Sequence, residues 1–345
     1  MSIDIFSSRS MLKQIEYIYP VRTPFLSKFF TETKRSQSEY IDIDFVRGTR
    51  KLAPYVAANM QGKLIEKRGF ERRSVQPPYI KIKDVTTAED LLKTKPGMNI
   101  YEGGRTGQQL AREELAKQMK EFMDMIIRRM EFMAHQSLST QGSITYSGDG
   151  ISLSVDFNMK TTHKITLTGT DKWDDTTNAD PVGDLKTWYE LIKKDSGLIP
   201  RDVIMDQDAA ALFLNHPKVS GSTSVFDNRR IDLGQINPRE LPSGLEFLGT
   251  LRRPNVDLYS YSEYYETDAG VVTPIMTSKT VIMGSTDARC VQHFGAIKDL
   301  EALAPVKFFP NSWIEKDPSA RLLLVQSSPL VAPHQIDGFA HATVA

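Results

Sequence analysis

The spacing of hydrophobic residues changes along this chain, and the changes mark its main elements. From residue 41 to 46 apolar and polar positions alternate, with Ile41, Ile43 and Phe45 on one face of a predicted β-strand. Lys63-Leu64-Ile65 begins a second extended piece and Val75 to Ile82 forms a third. Gly48 and Gly62 supply turns, and Pro77-Pro78 marks an edge or exposed connection. After Gly103-Gly104-Arg105-Thr106-Gly107 the period lengthens. Leu115, Met119, Phe122, Ile126, Met130 and Met133 step by three and four, predicting one helix face as far as about Ser139. Met123, Ile127 and Ala134 widen that face. Lys117, Lys120, Asp124, Arg128 and Glu131 take the opposite side, with Lys120, Asp124 and Arg128 spaced for i,i+4 pairing. About 30 residues rising 1.5 Å each make a rod of roughly 45 Å, long enough to cross or brace a domain.

Before this pattern, residues 1–40 read as a polar arm with apolar anchors, among them Phe25, Leu26, Phe29 and Phe30. The run LSKFF is one helical turn docking on something, either its own domain or a neighbour. Residues 84–100 read as a connector with a short helix opening at Thr87-Ala88-Glu89-Asp90. After Gly142, strands are predicted at 144–146, 151–157 and 163–167. An acidic, turn-rich loop, DKWDDTTNADPVGD, reads as a domain crossing. A helix follows over 184–194, then the strand Val203-Ile204-Met205. Asp206 or Asp208 caps a helix over 209–215 that stops at Pro217. Strands at 245–251, 256–261, 271–276 and 280–283 precede one more at 321–326 and an apolar end.

Composition narrows the function. Lys+Arg and Asp+Glu each total 43, so formal net charge is zero, whereas proteins that coat nucleic acid carry a basic excess. A neutral subunit can meet copies of itself without strong repulsion. The single cysteine, Cys290, excludes an intrachain disulfide and fits a reducing folding compartment. The start lacks the apolar run of a signal peptide, and no stretch approaches the roughly 18 apolar residues of a membrane helix.

A search for chemistry finds none. GGRTG lacks the Lys-Ser/Thr pair of a phosphate-binding loop, and its glycines read as a tight helix entry. The six histidines form no metal-ligand spacing, and the acids of 171–180 lack the glycine and terminal glutamate of a calcium loop. No Gly-x-Ser-x-Gly elbow occurs. Asp206/Asp208 could serve acid-base chemistry but sit where helix caps belong. No cofactor or metal is expected, and no catalytic residue is assigned.

What does stand out is charge. Residues 47–83 are strongly basic, while 171–208 and the run Asp257, Glu263, Glu266, Asp268 are acidic. A nucleic-acid groove, or two unrelated solvated faces, would explain this. Head-to-tail contact between copies uses both patches at once and is the preferred reading. On that reading the segment 47–83, lacking its own core, can be removed without unfolding the subunit.

Several stretches then carry a family resemblance: LSKFFTET, YVAANMQGKLIEKRGFERRSVQPPYIKIK, VIMDQDAAALF, VIMGSTDARCVQHFGAIKDL and FFPNSWIEKDPSARLLLVQSSPL. The last two are the most specific, including Gly284, Thr286, Ala288, Arg289, Gly295, Pro310, Trp313, Asp317, Pro318, Gln326, Ser327 and Pro329. The chain resembles the lambda-type branch of tailed-bacteriophage major capsid proteins, the major capsid protein E family. The resemblance spans nearly the whole chain and is thin at 85–105 and 215–245.

It implies an α+β fold of the Hong Kong 97 type. The regions would be an N-terminal arm (1–40), an extended loop and connector (41–100), and a peripheral domain (101–180) with a spine helix (107–139). An axial domain (181–290) and return strands (291–345) would follow. It also implies a non-enzymatic shell subunit, assembled in the host cytoplasm as hexamers and pentamers around double-stranded DNA held without sequence-specific binding. The arm begins almost at once, so a scaffold is expected as a separate protein, beside a portal and a trimeric decoration protein. Expected subunit contacts are Phe25, Phe29 and Phe30 in the arm and Arg47, Arg50, Lys67, Arg68, Arg72 and Arg73 in the loop. Competing readings are an encapsulin-like compartment, a nucleic-acid-binding protein acting through 47–83, and an unrecognised hydrolase.

Overall fold

The fold is organised by strands whose two faces are both apolar. The computed structural model describes residues 21–46, 52–62, 64, 70–87, 107–139, 142–148, 150–220, 239–241, 244–267, 269–301, 305–317 and 319–345. At its centre lies a seven-stranded mixed sheet. Its order is Lys164–Thr166, Phe339–Thr343, Thr280–Gly284, Asp202–Asp206, Asn255–Tyr261, Leu245–Arg252 and Arg239–Glu240. Asp202–Asp206 and Thr280–Gly284 are buried at every position, as expected of central strands covered on both sides. Alternation sends Val203, Met205, Val281, Met283, Ala340 and Ala342 to one core, and Ile204, Tyr259, Tyr261, Ile282 and Phe339 to the other.

The first of these cores is closed by the helices Pro181–Ser196 and Gln207–Asn215 through Leu185, Trp188, Ile192, Ala209 and Phe213. The sequence sets their ends. Pro181 opens the first helix and Gly197, at φ 82°, ends it in the left-handed conformation. The Asp206 carboxylate accepts the Asp208 N–H at 3.1 Å to start the second. The acidic loop before them is folded rather than simply solvated. Trp173 stacks on Trp188 with ring centroids 6.0 Å apart and donates its indole N–H to Asp184.

The second core holds the long helix, Gly107–Leu138, whose predicted stripe is buried at Leu115, Met119, Phe122, Ile126, Met130 and Met133. It packs against the hairpin Ser143–Gly148/Ile151–Asp156 and the strand Pro329–Pro333. On its exposed face an i,i+4 ion pair forms between Lys117 and Glu121 at 3.9 Å. Glu131, expected beside them, is buried instead.

The structure also differs from expectation elsewhere. Lys164–Thr166 pairs with Phe339–Thr343, so the central sheet begins before the expected division at residue 180. Ile80–Thr87 is the edge of a three-stranded sheet with Ser319–Ser327 and Phe309–Lys316, so 47–83 is not a detachable unit. Pro77 is buried, its carbonyl accepting from the Ser328 hydroxyl, and of the two expected readings Pro77-Pro78 marks the edge, leading into the edge strand Ile80–Thr87. The strand paired with Ile41–Val46 is Phe70–Val75; of the expected second strand, Leu64 is exposed coil and Lys63 and Ile65 lie outside the described residues. Of the predicted helix opening at 87–90, Thr87 ends the strand Ile80–Thr87 and the rest lies outside the described residues. The strands Phe309–Lys316, Cys290–Phe294 and Pro329–Pro333 escaped the pattern because prolines and polar residues interrupt their alternation.

Ile126 is wholly buried in the middle of the long-helix stripe. Ile126→Asp would bury an unpaired charge at a cost of several kcal/mol. The expected outcome is loss of soluble subunit and of the native circular dichroism spectrum; a native spectrum would show that the face is misassigned.

Candidate intersubunit surface

Two segments were expected to reach neighbours, and the structure treats them oppositely. The first is the hairpin Ile41–Val46/Phe70–Val75, paired in register from Ile41↔Val75 to Val46↔Phe70. At its base Ile41 and Ile43 are buried in the main core, which ties the hairpin to the body. Arg73 braces the same base, donating to the Asp156 carbonyl at 2.8 Å and to Asn158 Oδ1 at 3.0 Å. Beyond the paired strands, Leu52, Tyr55, Met60 and Leu64 are 70 to 102% exposed. Residues 52–62, LAPYVAANMQG, contain no charged side chain. An uncharged apolar segment left in water is a surface awaiting a cover.

The described part of the second segment, residues 21–40 of the arm, packs on its own subunit. The arm helix Pro24–Lys28 lies between the long helix and the central sheet, and Phe25, Phe29 and Phe30 are 0, 2 and 0% exposed. Phe25 meets Tyr261 edge-on at 5.3 Å, and Phe29 meets Phe339 edge-on at 5.1 Å. Gly284 makes room for this seam: a Cβ there would fall 2.5 Å from the Phe339 ring. Polar clamps hold both ends of the arm helix. Glu131 accepts the Phe25 and Leu26 N–H groups at 2.8 and 3.0 Å, satisfying donors that a helix start leaves unpaired. At the other end Lys28 pairs with Asp202 and lies 3.7 Å from the Tyr259 ring centroid. Past the helix, Glu32–Arg35 adds in parallel to Cys290–Phe294.

The family described as phage major capsid protein E matches residues 7–344. The chain belongs to that family. It is 26% identical over 345 residues to the P21 prophage-derived major head protein of Escherichia coli O6:H1 (strain CFT073), covering 97% of this chain and 98% of the relative. It is 24% identical over 356 residues to the major capsid protein of Escherichia phage lambda, covering 99% and 100%. Among solved structures, a prophage capsid protein of E. coli CFT073 superposes with a TM-score of 0.70 at 17% identity, covering 99% and 97%. The asymmetric unit of the bacteriophage PhiM1 mature capsid gives a TM-score of 0.50 at 9% identity, covering 94% and 88%. The fold is therefore the Hong Kong 97-type α+β capsid fold. This is a major capsid protein of a tailed phage, a structural subunit of the virion that works as homo-oligomeric capsomers.

Within this capsid protein the expected contact residues divide. Arg47, Arg50, Lys67 and Arg68 lie outside the described residues. Arg72 is exposed on the hairpin opposite Asp44. Phe25, Phe29 and Phe30 have no surface left for a neighbour, because helix and sheet already enclose them. Arg73 is held by its own subunit. Part of the acidic complement is also engaged internally: Asp202 holds Lys28, Asp206 caps a helix and Glu263 pairs with Arg22 at 3.8 Å. His293, on the strand Cys290–Phe294, and His334, in the turn just past Pro329–Pro333, bring their Nε2 atoms within 3.0 Å. Burial and the adjacent His334, Lys34 and Arg289 push His293 down to about 4, an unfavourable setting for a cation. No group of three or more metal-ligating side chains occurs among the described residues.

Glu131 is the residue that sequence reasoning missed. The signal lay in the row Met123, Ile127, Glu131, His135, spaced by four along the edge of the apolar stripe. Burial pushes its carboxyl up to about 8, against the pull of the two N–H groups it accepts. A folded-state pKa raised above the ordinary 4.5 gives stability that is complete at low pH and lost as pH rises through about 8. The unfolding midpoint of the wild-type subunit should thus fall relative to that of Glu131→Gln between pH 5 and pH 9. A constant difference would contradict the assignment. Phe29→Ala should destabilise the isolated subunit by about 3–5 kcal/mol in denaturant titration. An unchanged midpoint with lost assembly would restore the arm aromatics to a neighbour contact.

Proposed function

We propose that this capsid subunit completes its own core and offers the loop spanning residues 47–69 to neighbouring copies, closing rings of six and five that tile an icosahedral head. The observation that carries this reading is the exposed, uncharged segment 52–62 borne on a hairpin anchored by buried Ile41 and Ile43. Burying four large apolar side chains would contribute about 1.5–3 kcal/mol each before ordering costs. The basic residues that flank it, Arg47, Arg50, Lys67, Arg68 and Arg72, would set register and partner choice by charge. A loop from one copy meeting a different surface on the next is a heterologous contact, the kind that closes rings.

The same reading assigns the shell a cargo of double-stranded DNA, enclosed without sequence-specific contacts, as net neutrality favours. It places assembly in the host cytoplasm, with scaffold, portal and a trimeric decoration protein supplied as other chains. It assigns the subunit no catalytic step. The expected regions are kept, with the axial region now taken to include Lys164–Thr166 and Phe339–Thr343.

Removal of residues 47–69 tests this, since it spares Ile80–Thr87 and the hairpin base. Wild-type protein should form closed shells or rings of five and six in negative-stain electron microscopy, with or without added scaffold. The deletion should stay folded and soluble yet form neither. Normal shells from the deletion would overturn the loop's role.

A further inference from the structure

Beneath the start of the arm helix lies a cluster of buried polar groups that the shell reading does not use. Glu131 and His135 stand one turn apart on the long helix, and both are buried. Glu131 accepts the Phe25 and Leu26 N–H groups. His135 has no such partner. Neither of its ring nitrogens meets a hydrogen-bonding atom of the subunit, and the Phe25 ring closes over it edge-on with centroids 5.7 Å apart. The Tyr261 hydroxyl is also buried without a partner. A neutral imidazole carries one N–H and one lone pair, so both are left unsatisfied here. Leaving them so is costly, which favours any movement that gives them a partner.

Such a partner is at hand. Residues spaced by four on a helix are neighbours, so rotation of the Glu131 side chain alone brings its carboxyl to the His135 ring. It cannot serve His135 and the arm at once, because Phe25 and Leu26 take one oxygen each. We propose that the start of the arm helix is a latch with two states. Glu131 holds the Phe25 and Leu26 N–H groups when the latch is shut, and turns to pair with His135 when it opens. Opening lifts Phe25 off the imidazole and lets water reach both side chains.

Protons bias the latch. Burial holds the Glu131 carboxyl up at about 8, and burial with the neighbouring His341 holds His135 down at about 3. Opening returns them toward the ordinary 4.5 and 6.5. Glu131 therefore favours the shut state at low pH and loses that hold as pH rises from 4.5 through about 8. His135 favours the shut state at high pH and loses that hold as pH falls from 6.5 through about 3. His341, on the strand Phe339–Thr343 and held down at about 4 by burial, acts in the same direction as His135. Glu263 opposes the ionisation of Glu131 and is itself paired with Arg22 at 3.8 Å. Lys28 and Asp202 pair at the far end of the arm helix. The shut state is thus strongest near pH 6.5 and weakens on either side.

The test is amide exchange of the dissociated subunit, residue by residue, with each rate divided by the intrinsic rate at the same pH. Phe25 and Leu26 should be less protected than Ile126 and Met130 at every pH, because the latch opens without global unfolding. Their protection should peak near pH 6.5 and fall about tenfold per pH unit toward pH 8, the slope of one released proton. Glu131→Gln should abolish that fall. His135→Leu should raise their protection roughly several-fold at pH 6.5, since it removes an unsatisfied ring from the shut state and the competing partner from the open one. Equal protection of all four amides, a wild type with no fall toward pH 8, or the same fall in Glu131→Gln would overturn the latch. Should Glu131→Gln not fold, His135→Leu decides: unchanged or lower protection at Phe25 and Leu26 would overturn the exchange of partners.

Discussion

The subunit depends on the seam where three aromatic residues of a short helix are enclosed between a long helix and a sheet. Phe25, Phe29 and Phe30 belong to a five-residue helix and its exit, too short to be stable alone. Contact with Tyr261 and Phe339, the Glu131 clamp and the Lys28–Asp202 pair hold it in place. Without it, the inner face of the central sheet would lose its cover at Tyr261 and Phe339. The seam also fixes the chain's course into Glu32–Arg35 and the hairpin, and so the point from which the loop departs.

On the proposed reading, folding and assembly are carried by different segments of one chain. Aromatic and aliphatic burial closes the body without help from neighbours. The hairpin then carries an apolar segment outward on a base of two buried isoleucines and Arg73. Neutral overall charge lets copies approach, and on the proposed reading the basic residues around the loop orient the contact.

The elements that sequence reading located well were those with a single uninterrupted period. The long helix was legible because six core residues recur at three and four without a breaker. The strands at 203–205 and 280–283 were legible as short apolar runs, and Asp206 as a cap. The burial of the arm aromatics was not legible, because burial is a tertiary property. A phenylalanine in a proline-bounded arm looks alike whether it enters its own core or a neighbour's. Glu131 was misplaced because a charged residue on a helix edge reads as solvated unless the chain segment 100 residues earlier is known to bring two N–H groups to it. Strands such as Pro329–Pro333 stayed hidden because proline is normally a strand breaker, and here both prolines sit at the strand's ends.

Amide hydrogen exchange, compared between dissociated subunits and assembled shells, tests the central claim most directly. The account predicts that peptides covering 24–30 are equally protected in both states. Peptides covering 52–62 should exchange freely in the subunit and become protected in the shell. Protection of 24–30 that appears only on assembly, or free exchange of 52–62 in intact shells, would contradict a self-contained core with a donated loop.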